Sequence, residues 1–97
     1  MGFFSNIGNI NKINVLLKQI EPKVDSIQYE LQSYSPNLSR IKMESRSIAV
    51  LMSDVVDIAD RSGNSVKLAP CYLFGRKMSL FQISSVLAAL IEQCEQL

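Results

Sequence analysis

The sequence predicts an all-α chain: a long antiparallel helical hairpin and a C-terminal third helix, a three-helix bundle completed by oligomerisation. Three observations predict it. Apolar residues alternate in spacings of three and four over three separate segments, the mark of helices with one seam facing a partner. A Ser-Pro boundary divides the first two segments, and a capping signal opens the third. Between the second and third lies a short stretch, about 64–78, that carries no helical period and reads as irregular or extended. With 97 residues, of which 47% are hydrophobic and 20% charged, the chain suits a single domain over 1–97 with one core.

The first helix is expected over about 9–34. Its seam is Ile10, Ile13, Leu17, Ile20, Val24, Ile27, Leu31 and Tyr34. Pro22 falls inside, but at the outward position of its heptad, and the register continues beyond it. A continuous helix kinked at the proline is therefore preferred to a break near Glu21. In "YSPNLS", Ser35 offers a cap and Pro36 a first helical residue, which places the second helix at about 36–62. Its seam is Leu38, Ile41, Ser45, Ile48, Met52, Val55 and Ala59, widened by Leu51 and Ile58, and Gly63 closes it as a left-handed cap. The short connection makes the two helices an antiparallel pair.

The connecting segment 63–78 is read as mostly extended, with at most one turn at "PCYLF". The third helix, about 79–96, opens with Ser79 and Gln82 as a capping box and with Met78 against Ile83 as a hydrophobic staple. Leu80, Ile83, Leu87, Leu90, Cys94 and Leu97 form its seam, yet Val86 to Ile91 ("VLAALI") is apolar on every side. A helix apolar all round is expected to be covered all round. The cover would come from residues 66–75, from Phe3 and Phe4, or from a second copy of the chain.

Composition removes several functions. There is no His, so the commonest general base and the commonest metal ligand are both missing. Cys71 and Cys94 have neither the spacing of a zinc site nor a base beside them, and they read as two reduced thiols, at least one of them buried, with a disulfide between them the minority case. Asp54, Asp57 and Asp60 recur every three residues, a spacing that fans carboxylates around a helix instead of converging them on a cation. Asp57 is expected to pair with Arg61, and Glu44 with Arg40. Isolated glycines form no phosphate loop. No catalytic residue, metal or cofactor is expected, and the chain is read as not an enzyme.

Charge is +1 overall, but no acidic residue lies between Asp60 and Glu92, whereas Arg61, Lys67, Arg76 and Lys77 do. Four cations are too few for multi-phosphate contacts, so nucleic acid is disfavoured as a partner. The expected function is a small non-enzymatic protein–protein interaction or assembly module acting through apolar helix faces, self-associating as a homodimer or larger assembly. Its candidate partner-binding residues are the apolar anchors Tyr72, Leu73, Phe74 and Phe81, rimmed by Arg76 and Lys77. The alternative is peripheral membrane association through "MGFF" and the helix that follows, although the polar face of that helix is mixed in charge. The start lacks a basic region ahead of its apolar patch and only approaches a myristoylation pattern, so the expected location is the cytoplasm.

Overall fold

The computed structural model describes residues 3–97, apart from the side chains of residues 3–6 and of Ser65. The order is α1 (Phe3–Gln32), α2 (Leu38–Ser62), a single turn α3 (Asn64–Lys67), β1 (Cys71–Leu73), β2 (Arg76–Met78) and α4 (Leu80–Glu95). Helices α1 and α2 pack against each other, α4 packs on α2, and β1 lies against α1. The all-α class, the long hairpin and the C-terminal helix are as the sequence predicts.

Helix α1 is continuous through Pro22, whose ring points to solvent. Proline leaves the Lys18 carbonyl without its usual helical donor, which is tolerated where water can reach it. The helix starts earlier than the apolar period suggested, at Phe3, and ends at Gln32 rather than near 34. Leu31 and Tyr34 are therefore exposed instead of sealing the seam. The reason is geometric: α2 begins only at Leu38, which is itself exposed, so no partner layer exists beyond Ile27 and Ile41.

The cap of α2 also moves. Asn37, not Ser35, takes the extended cap conformation, and its Oδ1 accepts the Arg40 N–H at 3.1 Å. Pro36 precedes the cap instead of opening the helix. The Asn37 N–H in turn donates to Glu30 Oε1 at 3.0 Å, so one residue ties the end of α1 to the start of α2. Asn caps at least as well as Ser, which explains the choice. At the far end Gly63 ends the helix and its N–H donates to the Ala59 carbonyl at 3.3 Å; its φ of +90° needs glycine, as expected, but with ψ −177° it is extended and not the left-handed helical cap.

The core is one cluster. Ile13, Leu17, Ile20, Val24 and Ile27 of α1 meet Ile41, Ile48, Met52, Val55 and Ala59 of α2; Val66, Cys71 and Leu73 close one end, and Leu80, Ile83, Leu87 and Cys94 come from α4. The capping box of α4 is complete: Ser79 Oγ accepts the Gln82 N–H at 3.1 Å, and Gln82 Oε1 accepts the Ser79 N–H at 3.0 Å. The connecting segment is extended over "CYL" and "RKM", as expected, with Phe74 and Gly75 in the turn between them, although it begins with the helical turn α3. One expectation fails here. "VLAALI" is not covered all round: Leu87 is buried, Leu90 and Ile91 are half-buried, and Val86, Ala88 and Ala89 face solvent. Residues 66–75 pack towards α1 and α2, so they leave the outer side of α4 bare.

Candidate functional site: the β-hairpin and its flanks

The hairpin pairs Cys71 with Met78, Tyr72 with Lys77 and Leu73 with Arg76 in antiparallel register. Alternation along β1 turns Cys71 and Leu73 inward and Tyr72 outward, beside Lys77 on the opposite strand. Leu73 is only 5% exposed. It belongs to the core, and of the six candidate partner-binding residues it is the one turned inward.

Phe74 and Gly75 form the two-residue loop, with φ of +53° and +74°. Two consecutive positive φ values mark a type I′ turn, whose twist suits a hairpin. Gly75 fits it without cost. Phe74 does not: a bulky residue in the left-handed region is strained by about 1–3 kcal/mol. Its ring is nonetheless 44% exposed at the hairpin tip, and Tyr72 is 49% exposed beside it. Arg76 and Lys77 are exposed, and neither forms an ion pair among the described residues. Tyr72, Phe74, Arg76 and Lys77 are thus brought together on one short hairpin.

Phe81 is 80% exposed on the first turn of α4, but it belongs to a different surface. It lines a shallow recess of about 270 Å³ with Val56, Ala59, Asp60, Lys67, Leu80 and Ser84, between α2, α3 and α4. The recess is crossed at its rim by the Lys67 Nζ–Asp60 Oδ1 pair, 3.1 Å.

Two residues that sequence reasoning passed over hold the hairpin in place. The Tyr72 N–H donates to Asn14 Oδ1 at 3.2 Å, and the Phe74 N–H donates to Glu21 Oε2 at 2.7 Å. Asn14 and Glu21 stand seven residues apart, two turns along one flank of α1, so they meet alternate amides of a strand lying along that helix. They satisfy the outward edge of β1 as a third strand would. The available signal was their place beside the apolar seam, where a polar residue that is not solvated needs a partner.

The other candidates resolve on geometry. The Cys71 thiol is buried, with its Sγ 3.8 Å from the Ala69 carbonyl, and burial pushes it above the ordinary thiol range. Cys94 is also pushed up by burial, an effect partly offset by the neighbouring Ser45 hydroxyl. Both are free cysteines. A raised thiol is the opposite of an activated nucleophile. Asp54, Asp57 and Asp60 are exposed, and among the described residues no three metal-ligating side chains converge. Arg61 Nε donates to the Asp57 backbone carbonyl at 3.2 Å, not to its carboxylate. Glu44 reaches across to Lys23 at 3.8 Å and Arg40 Nε donates to Ser26 Oγ, so these side chains link α2 to α1 and do not pair along α2 as expected.

Among the described residues no helix is long and apolar enough to cross a membrane. The "MGFF" anchor lies outside the described side chains. Set against known protein families, characterised proteins and solved structures, the chain matches none of them.

Proposed function

We propose that this chain is a small non-enzymatic interaction module that engages another protein through the β-hairpin, with the outer side of α4 serving self-association. The observation that carries the reading is Phe74. Asn or Gly at this position would relieve the turn, yet the chain holds an aromatic in a strained conformation and presents it to solvent. An aromatic left 44% exposed recovers only part of what full burial would give, whereas a rigid, strained aromatic at a tip is what a binding anchor needs. Tyr72 and Arg76 stand beside it on the same hairpin, and Tyr and Arg are the residue types enriched at binding hot spots; among the described residues neither Arg76 nor Lys77 forms an ion pair.

Site-specific photo-crosslinking tests this reading. A benzophenone side chain placed at Phe74 should yield a discrete protein adduct in the cell of origin. The same group at Tyr34, which is fully exposed just beyond the C-terminal end of α1, controls for exposure alone. Equal labelling at the two positions would sink the proposal.

A further inference from the structure

The two edges of the hairpin are treated differently. On β1 the outward amides of Tyr72 and Phe74 are taken by Asn14 and Glu21 of α1. On β2 the register leaves the amide and carbonyl of Lys77 outward, because the pair beside a two-residue loop, Leu73 and Arg76, exchanges the hydrogen bonds and the next pair does not. None of the described loop or side-chain hydrogen bonds takes either group of Lys77. One strand edge is closed by the fold and the other is open.

We infer that β2 docks an extended acidic segment of a partner protein by strand addition at Lys77. Charge selects this occupant. From Arg61 to Ile91 the chain contains no acidic residue, and Arg76 and Lys77 lack ion-pair partners among the described residues. The nearest carboxylate to the hairpin, Glu21, is on the β1 side, where it holds the Phe74 amide and lies 3.9 Å from Lys18 Nζ. Apolar contacts complete the fit. A groove of about 440 Å³ runs against β2, lined by Leu68, Pro70, Lys77, Met78, Ser79 and Gln82, and Leu68 is 82% exposed there. Strand addition draws orientation from main-chain bonds and selectivity from alternate side chains. A segment alternating acidic with aliphatic residues sets carboxylates on the outward face beside Lys77 and aliphatic groups on the other face toward Leu68, Pro70 and Met78. The inference rests on the interaction-module reading and names the class of partner.

The test uses the intact chain and a set of ten-residue peptides alternating Glu or Asp with Val or Ile, alongside the same peptides carrying Lys for each acid. Fluorescence anisotropy should show binding by the acidic set alone. Lys77→Gln keeps the edge bonds and should weaken binding a few-fold. Lys77→Pro also removes the outward N–H and should weaken it by about tenfold or more. That proline leaves the bonds to β1 intact, because the Lys77 N–H points away from them. Should Lys77→Pro not fold, N-methylation of alternate peptide amides gives the same readout on the native chain, and loss of binding is again expected. Failure of the acidic peptides to bind, equal binding by the basic set, or unchanged binding after Lys77→Pro or peptide N-methylation would overturn the inference. Self-association that Lys77→Pro abolishes would assign the edge to a second copy and overturn it too. A crosslinked adduct at Phe74 that persists in Lys77→Pro would remove the edge mechanism while leaving the interaction-module reading standing.

Discussion

At Phe74 stability and presentation pull in opposite directions. Phe74→Asn removes the strain of a bulky residue at positive φ and supplies the preferred Asn-Gly loop, so it should raise unfolding stability by about 1 kcal/mol. The same substitution should abolish the crosslinked adduct formed from Tyr72 when a photoreactive group is placed there. Chemical denaturation of the two proteins checks the first outcome, and a destabilised variant would show that the ring packs more than it strains. The thiols make a second residue-scale case. Burial raises both Cys71 and Cys94, so the folded state holds its protons after the unfolded chain, ionising near ~8.5, has released them. Their contribution is full below the unfolded value and is lost as pH rises through the folded one. Stability should therefore fall with increasing pH above ~8.5, by up to about 1.4 kcal/mol per pH unit for each thiol. Urea unfolding from neutral to alkaline pH should show a flatter slope in Cys71→Ala and in Cys94→Ala than in the parent, though each variant starts lower for its lost packing. Parallel slopes would mean that neither thiol is shielded.

Elements whose period matches their packing were legible, and those held by contacts distant in sequence were not. The seams of α1 and α2 from Ile13 to Ile27 and from Ile41 to Ala59 are buried as their spacing demands, and the Ser79–Gln82 box starts α4 where its residues place it. The hairpin escaped because three-residue strands have too few positions to show alternation, and Phe-Gly is not a recognisable type I′ pair. Its support comes from Asn14 and Glu21, more than fifty residues away, and no local pattern announces such a bond. Of the candidate site, the exposed positions of Tyr72, Phe74, Arg76 and Lys77 were readable as an aromatic and basic run, whereas the inward turn of Leu73 depends on the strand register. If α1 fixes this hairpin as the geometry indicates, Asn14→Ala should cost about 1 kcal/mol and Glu21→Ala somewhat more, since a carboxylate acceptor makes the stronger bond. Amide hydrogen exchange offers a local check: the Tyr72 amide should lose protection in Asn14→Ala and the Phe74 amide in Glu21→Ala, with Ile20 and Ile48 unchanged. Uniform loss across the chain would show general destabilisation instead of a released edge.

The described molecule measures 51 by 22 by 17 Å, and a body so slender exposes more than a compact one. Its accessible surface is 6400 Å², against about 5,600 Å² expected from the scaling law for a monomer of 10.9 kDa. The difference is of the order of one partner's share of a standard interface, about 800 Å². Elongation supplies part of it; exposed apolar groups on and beside α4, namely Phe81, Val86 and Val56, are where covering it would return the most free energy. Two copies meeting across this side would place Phe81 of each against the recess beside Val56 and Ser84, an isologous arrangement that needs no second surface. Light scattering of the intact chain should then give a molar mass above that of the monomer, rising with concentration. Phe81→Gln should return it to the monomer value, while helicity by circular dichroism stays the same because the side chain is already in solvent. Phe74→Asn, on the hairpin, should leave the mass of the assembly unchanged. A monomer at every concentration would assign the exposed side of α4 to a different protein, and an assembly indifferent to Phe81→Gln would move the self-contact to another face.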